Sequence, residues 1–341
     1  MKILLNGVGR IGKSILHIIS KDKNIDIVSI NEINPNINSI AYSINYDSTY
    51  GALEDKFIVD GSYIKNSTST IKILNHSSIY DIDMREIDML IDASGSSVDI
   101  ERLKKLNLKS IFLTHPSNSV DITVILGVNE DKLDIYNHKI ISTSSCNATA
   151  LLPILKIIDE EYAIECGNIV TIHPLLNHQR VLDSSCISNS DRGVECNLEF
   201  GRSATQNIIP SQTTTIEACS HIMPKINSNF ISSNSLRVPT DTVGAIEITI
   251  FLENSTTKDE VISLCQKYEK NQKFDILLNN YEPLVSSDFK SQRYTTIIDH
   301  RFTELIKNRM LKLLVWYDNE WGYASKVVDI VKVVKNKFET S

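Results

Sequence analysis

The chain has 341 residues, 42% of them hydrophobic and 23% charged, and a net charge of −7 at neutral pH. This is the composition of a globular protein long enough for two domains. Basic residues dispersed on an acidic chain argue against a nucleic-acid surface, and no apolar run approaches the ~20 residues of a membrane span.

Met1 to Asn6 reads as a short buried strand. No basic-then-apolar leader precedes it, so a cytoplasmic protein is expected. The turn Gly7-Val8-Gly9-Arg10-Ile11-Gly12 follows, then a helical pattern from Lys13 to Ser20, then a second apolar strand, Ile25 to Ile30, ending at Asn31-Glu32. This is G-x-G-x-x-G between strand and helix, with an acid about 20 residues after the last glycine, as a dinucleotide fingerprint requires. The helix N-terminus faces the pyrophosphate, and Glu32 is placed to hold ribose hydroxyls. Further strands at Met89 to Ala93 and Ser110 to Thr114 alternate with helices up to about Ser145, which predicts a parallel sheet.

A β-branched run from His138 to Ser142 then leads through Thr143-Ser144-Ser145 to Cys146, and an apolar helical pattern continues from Leu151 to Tyr162. The thiol thus falls at a strand-to-helix turn, where the positive end of the helix dipole favours a thiolate and a lowered pKa. The strand Asn168 to Ile172 delivers His173. A Cys and a His carried on the ends of two strands can meet and form a nucleophile with its base; an isolated pair reads more simply as a buried thiol and a satisfied core imidazole. Ala245 to Phe251 alternates apolar and polar residues, the pattern of an antiparallel strand with one open face. Both tryptophans sit in Trp316-Tyr317-Asp318-Asn319-Glu320-Trp321-Gly322-Tyr323, between the strand Met310 to Trp316 and a final helix with Ala324, Val327, Val328, Val331 and Val334 on one face. The six cysteines, Cys146, Cys166, Cys186, Cys196, Cys219 and Cys265, show no framework spacing and are expected to be reduced thiols.

These motifs together resemble the phosphorylating glyceraldehyde-3-phosphate dehydrogenase family, which includes erythrose-4-phosphate dehydrogenase. The resemblance runs nearly end to end, through Asn6 to Gly12, Asn45-Tyr46-Asp47-Ser48, Gly127-Val128-Asn129, Ser145-Cys146, Thr171-Ile172-His173, Asn207-Ile208-Ile209-Pro210, Arg237-Val238-Pro239, Val285 to Phe289 and Trp316 to Tyr323. It implies an α/β fold: a Rossmann-type doubly wound parallel sheet formed by residues 1–145 and 320–341, and an α+β catalytic domain with a mainly antiparallel sheet at 146–319. It implies Cys146 as nucleophile and His173 as base. It implies NAD held by Gly9, Arg10, Ile11, Glu32, Thr114 and Asn319, the last on the nicotinamide carboxamide. Ser145, Thr149, Thr213 and Arg237 are the implied substrate and anion ligands. The expected partners are a small aldehyde, inorganic phosphate and three further copies of the chain in a homotetramer.

The expected chemistry is aldehyde oxidation through a thiohemiacetal and a thioester on Cys146, with phosphate or water resolving the thioester. Departures from the family pattern fall around the anions. Asn147-Ala148-Thr149 stands where the family has Thr-Thr-Asn, and Leu176 and His178 replace a Thr and an Asp. Glu199-Phe200-Gly201-Arg202 retains one of three arginines, and Thr214 and Glu217 replace a Gly and a Lys. The segment Asp183 to Arg202 is longer than the family norm by roughly eight residues, beyond the commonest loop lengths, and could bring Arg192 to the site. Three readings remain at this level: glyceraldehyde 3-phosphate oxidation with rebuilt anion sites, oxidation of erythrose 4-phosphate or another aldehyde, and a non-catalytic dinucleotide-binding protein.

Overall fold

The computed structural model describes residues 1–20, 25–186 and 198–340. Arg192 and Cys196 lie outside the described residues. The chain divides into two compact units: residues 1–124, 131–144 and 324–341, and residues 125–130 and 145–323.

The first unit opens with β1 (Lys2–Asn6), α1 (Arg10–Ile19), β2 (Asp26–Asn31) and α2 (Ile37–Asn45). A hairpin of β3 (Tyr46–Asp47) and β4 (Gly51–Ala52) follows, then β5 (Ile58–Asp60), β6 (Tyr63–Lys65), β7 (Thr70–Leu74), β8 (Met89–Asp92), α3 (Ile100–Lys104), β9 (Ser110–Leu113), β10 (Ile122–Thr123) and β11 (Ile140–Ser142). The nine-stranded sheet runs β10-β11-β9-β8-β1-β2-β7-β6-β5, parallel except for the pairings of β5 with β6 and β6 with β7. The chain winds outward from β1 through β2 to β7, then returns to β8 and winds the other way. The strand order therefore reverses between β1 and β8, at whose carboxyl ends such sheets bind ligands. Ile3, Leu4, Leu5, Leu90, Ile91, Ile111 and Phe112 have no exposed surface, as strands covered on both faces require.

The second unit contains α4 (Cys146–Tyr162), β12 (Ile164–His173), β13 (Ile209–Ser211), α5 (Thr215–Ser220), β14 (Ile231–Arg237), β15 (Gly244–Leu252), α6 (Lys258–Asn271), β16 (Leu277–Asn280), β17 (Thr296–Asp299), β18 (Glu304–Ile306) and β19 (Met310–Tyr317). Its sheet runs β13-β14-β12-β15-β19-β17-β16, with β18 on β19. Only β12 with β14 and β16 with β17 are parallel. In β15 the isoleucines at 246, 248 and 250 are fully buried, Glu247 and Thr249 are half-exposed and Phe251 is exposed, the alternation the sequence predicts. Ile154 and Leu155 of α4 join Ile169, Ile248 and Leu313 of the sheet in one core. The last helix, α7 (Trp321–Glu339), enters the first unit at Ala324, and all five of its predicted apolar-face residues have no exposed surface.

The expectation of six reduced thiols is corrected. Cys146, Cys166, Cys219 and Cys265 are free, but Cys186 is disulfide-bonded. It lies on the segment after β12, and the sequence shows no regular spacing of cysteines that would mark it.

Candidate active site

In the first unit β1 hands the chain to α1 through the glycine turn. Gly7 takes φ +88°, and a Cβ there would lie 2.7 Å from the Ser94 Cα. A Cβ on Gly12 would lie 2.0 Å from the Gly7 carbonyl oxygen, so only glycine lets α1 start this close to the strand. Gly9 differs: nothing lies within 4 Å of its Cβ position, and as the N-cap of α1 it offers no side-chain cap. The α1 N-terminus thus begins at an exposed glycine without a side-chain cap, as a pyrophosphate site needs. Ile11 lies in this first turn. Arg10 does not face that space with a free guanidinium, because it pairs with Asp47, as does Lys13 at 2.8 Å. Burial works against the Asp47 charge, but hydrogen bonds from Lys13 and Arg10 hold its carboxyl well below the usual range.

Glu32 follows β2 and accepts hydrogen bonds from the Val8 N–H at 3.0 Å and the Asn34 N–H at 3.3 Å. Its carboxylate thus stands beside the glycine turn. Thr114 follows β9 and donates to the Asp92 carbonyl at 3.0 Å. A chain of side-chain amides that no sequence motif marks crosses the carboxyl ends of these strands. Asn31 donates to Asn6 Oδ1 at 2.8 Å, Asn6 donates to Asp92 Oδ1 at 2.8 Å, and the His76 N–H donates to Asn31 Oδ1 at 2.9 Å. The glycine turn, the open helix end and the carboxylate fit a dinucleotide.

In the second unit Cys146 is the first residue of α4, after an approach that includes Ser144 at φ +61°. A serine in that conformation is uncommon and marks a turn held by its surroundings. Ser145 caps the helix, its hydroxyl accepting from the Ala148 N–H at 3.2 Å. The Cys146 Sγ lies 3.8 Å from His173 Nε2, at the end of β12. His173 Nδ1 lies 2.9 Å from the Pro174 carbonyl oxygen. A carbonyl only accepts, so Nδ1 carries the proton and Nε2 turns a lone pair toward the sulfur.

The expectation of a lowered thiol pKa is corrected. Burial pushes Cys146 up to about 11, outweighing Arg237 and the backbone N–H groups of Cys146 and Asn147, which favour the thiolate. Burial, followed by the charge of Arg237, pushes His173 down to about 3. A helix end stabilises a thiolate only where the sulfur keeps some solvation; here desolvation wins. The ligand-free pair is a thiol beside a neutral imidazole.

Arg237 ends β14 as the register partner of His173. Its Nε and Nη1 are buried without a hydrogen-bond partner among the described residues, as is the Thr149 hydroxyl. Thr213 Oγ1 lies 2.6 Å from Thr215 Oγ1. Cys146, His173, Ser145, Thr149, Thr213 and Arg237 thus all belong to the second unit. Asn319 is in that unit too: its Oδ1 accepts from the Val243 N–H at 3.1 Å and the Thr242 hydroxyl at 3.2 Å, which leaves Nδ2 to donate elsewhere. Val243 reaches it at φ +65°, an outlier for a β-branched residue. His178 packs edge-on against Phe200, with ring centroids 5.9 Å apart.

Comparison with known proteins gives matches over both units. Residues 1–100 match the glyceraldehyde 3-phosphate dehydrogenase NAD binding domain, and residues 145–319 match the C-terminal domain of the same family. Glyceraldehyde-3-phosphate dehydrogenase 1 of Kluyveromyces marxianus is 33% identical over 98% of this chain and 99% of its own. Glyceraldehyde-3-phosphate dehydrogenase 2 of Bacillus subtilis is 32% identical over 98% of this chain and 96% of its own. The Priestia megaterium glyceraldehyde-3-phosphate dehydrogenase is 29% identical over 99% of both chains.

Proposed function

The chain belongs to the glyceraldehyde-3-phosphate dehydrogenase family and is an NAD-dependent oxidoreductase, and from that premise we propose that it oxidises a small phosphorylated aldehyde, glyceraldehyde 3-phosphate foremost, to an acyl phosphate through a thioester on Cys146. The observation that carries this reading is the Cys146 sulfur 3.8 Å from the bare Nε2 of His173, with the Arg237 guanidinium on the adjoining strand, whose Nε and Nη1 have no partner among the described residues.

The sulfur attacks the carbonyl carbon while its proton passes through His173 Nε2 to the carbonyl oxygen, giving a thiohemiacetal. The backbone N–H groups of Cys146 and Asn147, which already point at the sulfur, offset charge developing on that oxygen. His173 then takes the hydroxyl proton as the carbon loses hydride and becomes a thioester carbonyl. NAD, when bound, supplies the hydride acceptor. A phosphate oxygen attacks the thioester, the C–S bond breaks, and the departing sulfur recovers its proton from His173.

Arg237 is the main cation for the anions in this reading. The Thr149 hydroxyl has no competing partner among the described residues, and Ser145 can donate to an anion while still accepting the Ala148 N–H. Gly9, Arg10 and Ile11 line the pyrophosphate turn, with Arg10 in a structural role through Asp47. Glu32 takes the adenosine ribose, Thr114 meets the cofactor from the carboxyl end of β9, and Asn319 donates Nδ2 to the nicotinamide carboxamide. We assign residues 1–145 and 320–341 to the cofactor domain and 146–319 to the catalytic domain, in a cytoplasmic homotetramer. NADH formation across three-, four- and five-carbon aldehydes, each with and without its terminal phosphate, tests the substrate. Highest kcat/KM on the phosphorylated three-carbon aldehyde is expected; a higher value on the four-carbon or the unphosphorylated series would overturn that assignment.

A further inference from the structure

Asn147 follows the reactive cysteine, and every polar atom of its side chain has a partner. Its Nδ2 donates to Thr215 Oγ1 at 3.2 Å. Its Oδ1 accepts from the Tyr317 hydroxyl at 2.6 Å and from the Cys146 thiol, whose Sγ lies 3.6 Å away. A carbonyl oxygen has two lone pairs, so it accommodates both donors. Tyr317 is fixed in turn: it is fully buried on β19, and its register partner on β15 is Gly244. A Cβ at Gly244 would lie 2.6 Å from the tyrosine Cζ and hydroxyl oxygen, so the glycine makes the room in which the phenol reaches Asn147.

The thiol has one proton and two acceptors within reach, Asn147 Oδ1 and His173 Nε2. We propose that Asn147 is a positioning residue that holds the Cys146 proton in the resting protein: its carboxamide, clamped by Tyr317 and Thr215, accepts the S–H and keeps the sulfur a thiol until substrate draws that proton to His173. The clamp fixes the amide with oxygen toward the sulfur. Released, the amide can rotate to present its N–H₂, which would favour a thiolate instead. The other groups facing the sulfur are His173 from β12, Arg237 from β14, the Tyr317 phenol from β19 and Glu320 from the turn before α7. The inference rests on the proposed function only in taking Cys146 as the reacting thiol.

The test is alkylation of the full-length, substrate-free protein by iodoacetamide from pH 6 to 11, with each shift in midpoint read as the displacement of the rising limb of log rate against pH, the modified peptide identified by mass and a Cys146→Ser control. Asn147→Ala should move the midpoint down by at least about one pH unit, which is about tenfold faster alkylation near neutral pH. Tyr317→Phe should move it in the same direction by less. Asn147→Asp is nearly isosteric and places a carboxylate at the same spot, so it should move the midpoint up. A purely structural role would alter stability and leave the midpoints together. An Asn147→Asp midpoint equal to or below that of the unaltered protein would overturn the proposal, even if Asn147→Ala failed to fold. Because no aldehyde is present, failure of the substrate assignment would leave this readout unchanged.

Discussion

His173 and Arg237 are register partners on adjacent parallel strands, and the guanidinium adds to the effect of burial in lowering the pKa of the imidazole. Burial does most to keep that imidazole neutral, and a cation whose Nε and Nη1 have no hydrogen-bond partner among the described residues adds to it.

That relationship predicts an acid-sensitive fold. An unfolded histidine takes up a proton near pH 6.5, whereas folded His173 resists until about 3. Between those values the unfolded state binds more protons, so stability falls as pH falls, by up to about 1.4 kcal/mol per pH unit for this residue. Urea midpoints at pH 7, 6, 5 and 4 should converge between the unaltered protein and His173→Asn as the solution is acidified. Parallel curves would show that His173 titrates normally.

Cys146→Ser should abolish aldehyde oxidation and leave NAD binding within about twofold, since the cofactor turn lies on other elements. His173→Asn should slow acylation by ~10²–10⁴-fold, the usual span for a general base. Pre-steady-state NADH bursts separate acylation from later steps. Near-normal turnover of Cys146→Ser would sink the mechanism.

Glu32 bears on cofactor choice. Its carboxylate accepts the Val8 N–H and would repel a phosphate on the neighbouring ribose hydroxyl. Like-charge juxtaposition costs several kcal/mol, so kcat/KM for NAD should exceed that for NADP by about a hundredfold or more. Glu32→Gln should narrow the gap. Equal values for the unaltered enzyme would remove Glu32 from the ribose site.

Phosphate dependence measures what the lost arginines cost. Each charge-assisted hydrogen bond is worth about 1.5–3 kcal/mol, so Arg237→Met should raise the phosphate requirement by one to two orders of magnitude. The unaltered enzyme should already show weaker dependence on phosphate than family members with all three arginines. Initial rates against phosphate, with acyl phosphate and free acid quantified separately, decide the point; a tight, saturable requirement yielding only acyl phosphate would mean the substitutions are compensated.

The strand and glycine signals were legible in the sequence because they are local. Backbone sterics alone demand Gly7 and Gly12, and the alternation in β15 records burial residue by residue. Even so, α4 begins at Cys146, five residues before the apolar pattern suggests, since polar and small residues carry its first turn. The Asn147 clamp was not legible, because its partner Tyr317 lies 170 residues away. The protonation of Cys146 is not legible for a related reason. A helix end is visible from a few residues, but desolvation sums over every group packed around the sulfur, most of them remote in sequence.

The amides of Asn6 and Asn31 brace the open end of the parallel sheet. Each residue both donates and accepts along the line from Asp92 to His76, so strands that backbone hydrogen bonds join along their lengths are also tied at their tips. Tips that cannot splay independently present the glycine turn and Glu32 as one rigid edge. Shortening either amide would cost its neighbours a hydrogen bond and let that edge fray, and the damage should appear as faster hydrogen exchange at Gly7 and Ala93, whose N–H groups bond to the Asn31 and Asn6 carbonyls.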